Sequence, residues 1–371
     1  MWNLRRKSDV AEKAIAPAVK FFREIRPKDG VVVLNDDDCD GICSGTILNI
    51  VLRKFCRSRP VQIPTEWGMK LSGRIVKKIL ARKPKYVIIS DVPDMDLELL
   101  GRLSGAAKVL IVDHHALKKY KNVVYSNPRL FDAKAYLPAT YLAYKISEKL
   151  GIGERKIIWV AAVGVLGDHG VENCKDLFVR LKKEFPDLVG DYEIGSESLF
   201  EGSKLGMLTK IVDSGRVVKA DAGSRHAAKV LLESADYNAI LSGKTAAVKK
   251  LLAWHKFVEK EFDRLVGEFK EKSVQVGNVM FFEFESDLKL KSSLAGAIEK
   301  FYDDKIIVVA QKEGKYYALS MRRGRNNNTD LDRLMRSAIK NIPGSTGGGH
   351  PQASGGRIPA KYKAVFLKNL A

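Results

Sequence analysis

The chain has 371 residues, 45% hydrophobic and 29% charged, with a net charge of +20 and a pI near 9.6. That length favours two domains over one core, no apolar run approaches the roughly 20 residues of a membrane span, and the Met1–Asp9 stretch lacks the apolar region of a secretory signal. Four cysteines (Cys39, Cys43, Cys56, Cys174) show neither zinc-type pairing nor a disulfide framework. These features describe a cytoplasmic protein with reduced thiols and no membrane partner. The basic excess points to polyanions, nucleic acid first, because neutralised phosphates release counterions.

Residues 11–25 have the pattern of an amphipathic helix, closed by the turn signal Arg26-Pro27-Lys28-Asp29-Gly30. A short apolar strand, Val31-Val32-Val33-Leu34, runs into Asn35-Asp36-Asp37-Asp38-Cys39-Asp40-Gly41. Helical periodicity over 42–55, a strand over 60–65 and a helix over 71–82 follow. The strand Tyr86-Val87-Ile88-Ile89-Ser90 then delivers Asp91, and after a helix over 97–103 the strand Val109-Leu110-Ile111-Val112 delivers Asp113-His114-His115. Helices are expected over 139–150 and 156–166; in the latter, the apolar segment 159–166 leads to Gly167-Asp168. Helices alternating with nearly all-apolar strands predict a parallel sheet covered on both faces. The four carboxylate-bearing ends are expected to converge on one edge of that sheet, where open α/β sheets bind their ligands.

From about 177 to 252 the pattern is mostly helical, with 220–226 a turn that opens a helix; 249–272 is a long charged helix suited to connecting domains. A second α/β unit follows: strands over 274–284, 306–310 and 316–321, helices over 292–303 and 331–342, and a glycine-rich loop over 344–356.

Asp36-x-Asp38-x-Asp40-Gly41 puts carboxylates at alternate positions, with a glycine that permits close approach. By itself it is equally an acidic turn; a calcium-binding EF-hand would need further ligands ending in a distal glutamate. Adjacent histidines after Asp113 at a strand end are harder to explain without a ligand. Asp91 and Asp168 taken singly read as helix caps, and gain meaning from the repeated pattern. Carboxylates with one or two imidazoles suit manganese or magnesium better than structural zinc. Two such ions suit water activation and phosphoryl-transfer chemistry. In Gly347-Gly348-Gly349-His350, successive N–H groups are expected to form an anion-binding concavity to which the histidine adds a donor, with Ser320 and Arg322 supplying the rest of a phosphate grip.

In these motifs the chain resembles the DHH phosphoesterases, of the DHH–DHHA1 type that includes RecJ-like exonucleases and nanoRNA/pAp phosphatases. Asp38-Cys39-Asp40-Gly41 is similar to the first motif, Asp91 to the second, Asp113-His114-His115 to the third and Gly167-Asp168 to the fourth. Asp221 to Arg225 is similar to an Asn-x-x-x-Arg segment; Ser320-x-Arg322 and Gly348-Gly349-His350 through Gly355 are similar to the DHHA1 substrate signature. The resemblance implies an α/β fold with a parallel-sheet DHH domain (1–240), a helical connector (241–272) and a smaller α/β DHHA1 domain (273–371), with the active site in the cleft between domains. It implies two manganese ions, magnesium being the alternative, bridged by Asp91: one held by Asp40, His114 and Asp168, the other by Asp38 and Asp36. His115 would contact the scissile phosphate, supported by Asp113. Arg225, Ser320, Arg322, Gly348, Gly349 and His350 would bind substrate. At position 36 the family usually carries a histidine; the aspartate here can still ligate manganese. The activity implied is a single-strand exonuclease acting on DNA, and on RNA as an alternative, in replication or repair beside a helicase or replisome protein. An oligoribonucleotide or pAp phosphatase, and a weakened scaffold associated with a helicase, are the competing readings.

Overall fold

The computed structural model describes residues 4–66 and 70–370, with side chains from residue 9 onward; Met1, Trp2 and Asn3 of the N-terminal stretch and the final Ala371 lie outside the described residues. The chain divides into two compact units, Met1–His255 and Lys256–Ala371.

Unit 1 opens with α1 (Leu4–Glu24) and proceeds through β1 (Val31–Asn35), α2 (Cys39–Lys54), β2 (Val61–Pro64), α3 (Gly73–Leu80), β3 (Tyr86–Ser90), α4 (Leu97–Ala106), β4 (Lys108–Val112) and β5 (Val123–Ser126). The strands form an all-parallel sheet in the order β2-β1-β3-β4-β5, a doubly wound arrangement. Strand alternation explains the unbroken apolar runs. Val31, Val33, Tyr86, Ile88, Leu110 and Val112 face the core built with α1, α2 and the later helices. Val32, Leu34, Val87, Ile89, Val109 and Ile111 face a second core with residues of α3 and α4. Each fully buried aliphatic side chain contributes about 1.5–3 kcal/mol, and both faces of the three central strands are covered except at Lys108.

Helices α5 (Ala139–Lys149), α6 (Arg155–Gly167), α7 (Lys175–Glu184), α8 (Pro186–Val189) and α9 (Glu197–Gly202) lead to α10 (Lys204–Glu233) and α11 (Tyr237–Leu241). The turn expected over 220–226 is a sharp break one residue earlier: Lys219 and Ala220 leave helical geometry, Ala220 at φ +47°. The two halves of α10 pack backbone on backbone, and a Cβ on Gly223 would overlap the Gly215 carbonyl. The helix expected over 156–166 is α6, and Asp168, its C-cap, reaches the site from a helix end rather than from a strand.

The charged helix α12 (Ala246–Lys272) crosses the division between the units. Unit 2 contains β6 (Val274–Val276), β7 (Val279–Phe284), α13 (Lys291–Glu299), β8 (Ile306–Glu313), β9 (Tyr316–Arg323), α14 (Leu331–Ile339), β10 (Thr346–His350), β11 (Ala353–Pro359) and α15 (Lys363–Leu370). Its mixed sheet has the order β10-β11-β9-β8-β7-β6. The single strand expected over 274–284 is a hairpin turned at Gly277, φ +58°. The loop expected over 344–356 is also a hairpin, β10 with β11, so the expectation of irregular structure fails there. Among the described residues no helix is long and apolar enough to cross a membrane, and none of the four cysteines is in a disulfide.

Candidate metal centre

The three central strands of unit 1 end in step. Asn35 lies opposite Ser90, and Ser90 opposite Val112, so the next residue on each strand is Asp36, Asp91 or Asp113. The ladder continues through these residues: Asp36 N–H donates to Ser90 O (3.1 Å), Asp91 N–H to Val112 O (3.0 Å) and Asp113 N–H to Ser126 O (3.1 Å). At Asp91 the chain then turns away with φ +61°, a conformation that Asp tolerates better than most residues. Three carboxylates thus come to one sheet edge on the rigid backbone itself.

Helix α2 brings two more. Asp38 caps it, accepting from Gly41 N–H (3.0 Å). A Cβ on Gly41 would lie 2.5 Å from the Asp36 carbonyl, so the close approach of loop to helix requires glycine there. Asp40 accepts from the first N–H groups of α5, Ala139 (2.8 Å) and Thr140 (2.9 Å), which anchors its carboxylate on a helix N-terminus. Thr65, one residue beyond β2 on the same edge, donates to Asp36 Oδ1 (2.7 Å). From the other side, Tyr136 donates to Asp168 Oδ2 (2.7 Å) and Asp168 O (2.8 Å), with its ring edge-on to His114 at 5.0 Å.

Donor atoms of Asp36, Asp38 and Asp91 lie within 4.8 Å of one another; so do those of Asp40, His114 and Asp168, and those of Asp91, Asp113, His114 and His115. His114 Nε2 stands 3.3 Å from Asp91 Oδ1 and 3.6 Å from Asp168 Oδ2. Asp113 Oδ1 accepts from the His114 N–H (2.9 Å) and pairs with His115 Nδ1 (2.9 Å), leaving the other ring nitrogen of His115 for a ligand.

Burial sets the electrostatics. Asp36, Asp40, Asp91, Asp113 and His114 are each 3% exposed or less. Burial, reinforced by Asp38, pushes Asp36 up to about 7; burial also pushes Asp168 up to about 7. Asp40 and Asp91 rise well above the carboxylate range, first from burial and then from neighbouring carboxylates. Burial lowers His114 to about 4, which keeps its imidazole neutral and able to coordinate. For His115 burial acts downward, but the Asp113 hydrogen bond and nearby carboxylates raise it overall.

This donor set fits hard divalent cations. Asp91 Oδ1 and His114 Nδ1 are buried without a hydrogen-bond partner, an arrangement that costs free energy unless a cation or further donor satisfies it. Cys39, the thiol between Asp38 and Asp40, instead directs its S–H to the Val163 carbonyl (3.6 Å). Oxygen ligands with one or two imidazoles match manganese or magnesium.

In unit 2, antiparallel pairing aligns Ser320, Gly355 and Gly348 in one row and Arg322, Ala353 and His350 in another. Ser320, Arg322 and His350 therefore share a face of the sheet, with Ser320 buried, Arg322 half-buried and His350 exposed. Arg322 donates to Met321 O (3.0 Å) and reaches Ser320 Oγ (3.4 Å). Because Gly347–Gly349 are extended, their successive N–H groups point to opposite edges, and the concavity expected from the glycine run does not form. Gly349 N–H is already bonded to Asp332 (2.7 Å). Arg225 lies on α10 in unit 1, paired with Asp221 (2.7 Å).

Sequence reasoning missed three supports of the site. Thr65 was accessible by applying the strand-end rule to β2. Tyr136 carries no sequence signal. Nor does the α10 clasp, in which Ser224 Oγ donates to Asp37 O (2.8 Å) and Arg216 forms a two-pronged pair with Asp213 (3.0 Å each). The Arg216 charge also restrains Asp37, which burial pushes up to about 6.

Residues 271–371 match the DHHA1 domain family. An uncharacterized protein of Methanocaldococcus jannaschii is 22% identical, the alignment covering 91% of each chain. Among solved structures, Thermus thermophilus RecJ in complex with Mn2+ superposes with a TM-score of 0.72 at 16% identity, covering 96% of this chain and 54% of RecJ. The chain thus spans about half of that protein. The DHH domain of a member of a ribosomal protein family gives a TM-score of 0.73 at 16% identity, covering 98% of this chain and 91% of that one. The resemblance to DHH–DHHA1 proteins is therefore supported: residues 271–371 match the DHHA1 domain family, and the chain shares the fold of RecJ.

Proposed function

We propose that the protein is a metal-dependent phosphodiesterase that hydrolyses single-stranded DNA, with RNA as a second substrate, from one end to release nucleoside monophosphates. The observation that carries this reading is the row Asp36, Asp91 and Asp113 at the ends of three adjacent strands, facing His114 with buried donor atoms unsatisfied. Asp36 and Asp38 would hold one manganese ion, Asp40, His114 and Asp168 the other, with Asp91 between them. Two bound divalent ions supply a nucleophilic water at neutral pH and positive charge for the phosphoryl transition state.

The chain's own residues do the rest. Asp113 fixes the His115 ring through Nδ1 (2.9 Å), so that its other nitrogen donates to a phosphoryl oxygen. Tyr136 and the α5 N-terminus orient Asp168 and Asp40. Arg225, Ser320, Arg322 and His350 would grip phosphates, with Gly348 and Gly349 giving access to the strand. The net charge of +20 favours a polymer over a mononucleotide substrate, and a replication or repair setting beside a helicase fits such a substrate.

A time course with manganese on single strands labelled at the 5′ or 3′ end, as DNA and as RNA, tests the reading. Mononucleotide released first from one labelled end, and lost in Asp91→Asn, is the expected result. Cleavage confined to strands of a few nucleotides would support the oligonucleotide phosphatase instead. No cleavage with any divalent cation would leave a binding scaffold.

A further inference from the structure

Beside the metal loop, unit 1 contains a concavity of about 530 Å³, bounded by Asn35, edge strand β2, the C-terminal half of α2, the start of α6 and the second half of α10. That volume falls within the range of small-ligand sites. Its walls carry Arg53, Lys54, Lys156, Arg225 and Lys229 against only Glu154 and Glu233. We propose that this pocket is a phosphate-binding site for a nucleotide-sized ligand, beside the metal centre and sharing Arg225 with the proposed substrate grip, with Arg53 as its principal anchor.

The basic groups differ in how far they are already committed. Lys156 donates to Leu232 O (2.9 Å) and Ser234 O (2.6 Å), Lys54 pairs with Glu154 (2.8 Å), and Arg225 pairs with Asp221 (2.7 Å). Lys229 faces Glu233 only at 3.9 Å, both side chains about 60% exposed, which is too loose to hold it. Arg53 bonds an amide rather than a carboxylate: its Nε donates to Asn49 Oδ1 (2.6 Å). Its remaining guanidinium N–H groups suit a phosphate's fork of oxygens.

Arg53 is also fixed in place. Asn49 Nδ2 donates to Gln62 Oε1 (3.3 Å), Gln62 Nε2 to Asn35 Oδ1 (3.0 Å), and Asn35 Nδ2 to the Asp36 carbonyl (2.7 Å). A row of oriented amides therefore runs from the pocket floor to the metal loop. Gly45 makes room for it, since a Cβ there would lie 2.7 Å from both Asn35 Oδ1 and Gln62 Nε2. Pre-positioned charge and amides reduce the ordering cost of binding an anion. Neither Arg53 nor Lys229 belongs to any motif that carries the family resemblance, and the proposal does not depend on hydrolysis.

The test is calorimetric titration of the full chain in EDTA, where no turnover occurs, with AMP, inorganic phosphate, adenosine and an end-blocked single strand. AMP and phosphate are expected to bind and adenosine not to. Arg53→Ala should weaken binding about tenfold or more, the value of a charge-assisted hydrogen bond, while Arg53→Lys retains part of it. Arg53 is exposed, so both variants should keep the parent melting temperature. If only the strand binds, and Arg53→Ala weakens it, the phosphate comes from nucleic acid rather than a free nucleotide. Equal binding of adenosine and AMP, or unchanged affinity in Arg53→Ala, overturns the proposal.

Discussion

Replacing Asp91 with Asn should stabilise the metal-free protein while abolishing its response to metal. Asp91 is 2% exposed, its Oδ1 lacks a hydrogen-bond partner, and burial together with Asp40, Asp38, Asp36 and Asp113 raises its pKa well above the carboxylate range. Two unit charges 4.8 Å apart, the span of each donor cluster, repel by about 3.5 kcal/mol at an effective dielectric near 20. Partial protonation removes part of that repulsion, so neutralising Asp91 should gain about 2 kcal/mol. Asparagine accepts the φ of +61°, and its amide can donate to His114 Nε2, which stands 3.3 Å from Asp91 Oδ1. In scanning calorimetry without metal, the variant should therefore melt about 4–8 °C above the parent. With manganese at a hundred times its dissociation constant the parent should gain about 2.7 kcal/mol, and the variant almost nothing. A lower metal-free melting temperature in the variant, or equal manganese stabilisation of both proteins, would refute the reasoning.

The same carboxylates predict a pH dependence. Asp36, at about 7 against an ordinary 3.8, and Asp168, also at about 7, keep protons in the folded state that the unfolded chain has lost. The metal-free protein should thus be most stable near pH 4–5 and lose a total of about a few kcal/mol as pH rises to 8, with manganese reversing that loss; chemical denaturation at several pH values reads it. Tyr136→Phe removes the 2.7 Å bond to Asp168 and should weaken manganese binding about 10–100-fold, measured by calorimetry, for about 1 kcal/mol of stability. Gly41→Ala places a Cβ 2.5 Å from the Asp36 carbonyl and should cost about 1–3 kcal/mol in urea denaturation.

Much of unit 1 is legible from its apolar runs. Continuous strands such as Val31-Val32-Val33-Leu34 require cover on both faces, and alternating helices supply it, so a parallel sheet follows from local pattern. The carboxylates at the strand ends are legible for the same reason, since a buried strand that stops at Asp91 or Asp113 needs an explanation. The glycine segment 344–356 misled because glycines weaken every local strand signal; pairing with β9 through β11 makes it a sheet. The hairpin of β6 and β7 was hidden by the opposite cause, an apolar stretch with little to mark its turn except Gly277.

The sequence by itself determined which residues carry charge, which alternate into a core and where the chain must leave the sheet. Only the tertiary structure decided that Asp36, Asp91 and Asp113 stand in one row, because strand register depends on partners distant in the chain. It also decided that Tyr136 secures Asp168 and that Asp40 rests on the first turn of α5. Periodicity is a property of neighbouring residues and survives in the sequence. Register and close approach arise between segments a hundred residues apart, such as Asp40 and Thr140, and packing alone sets them.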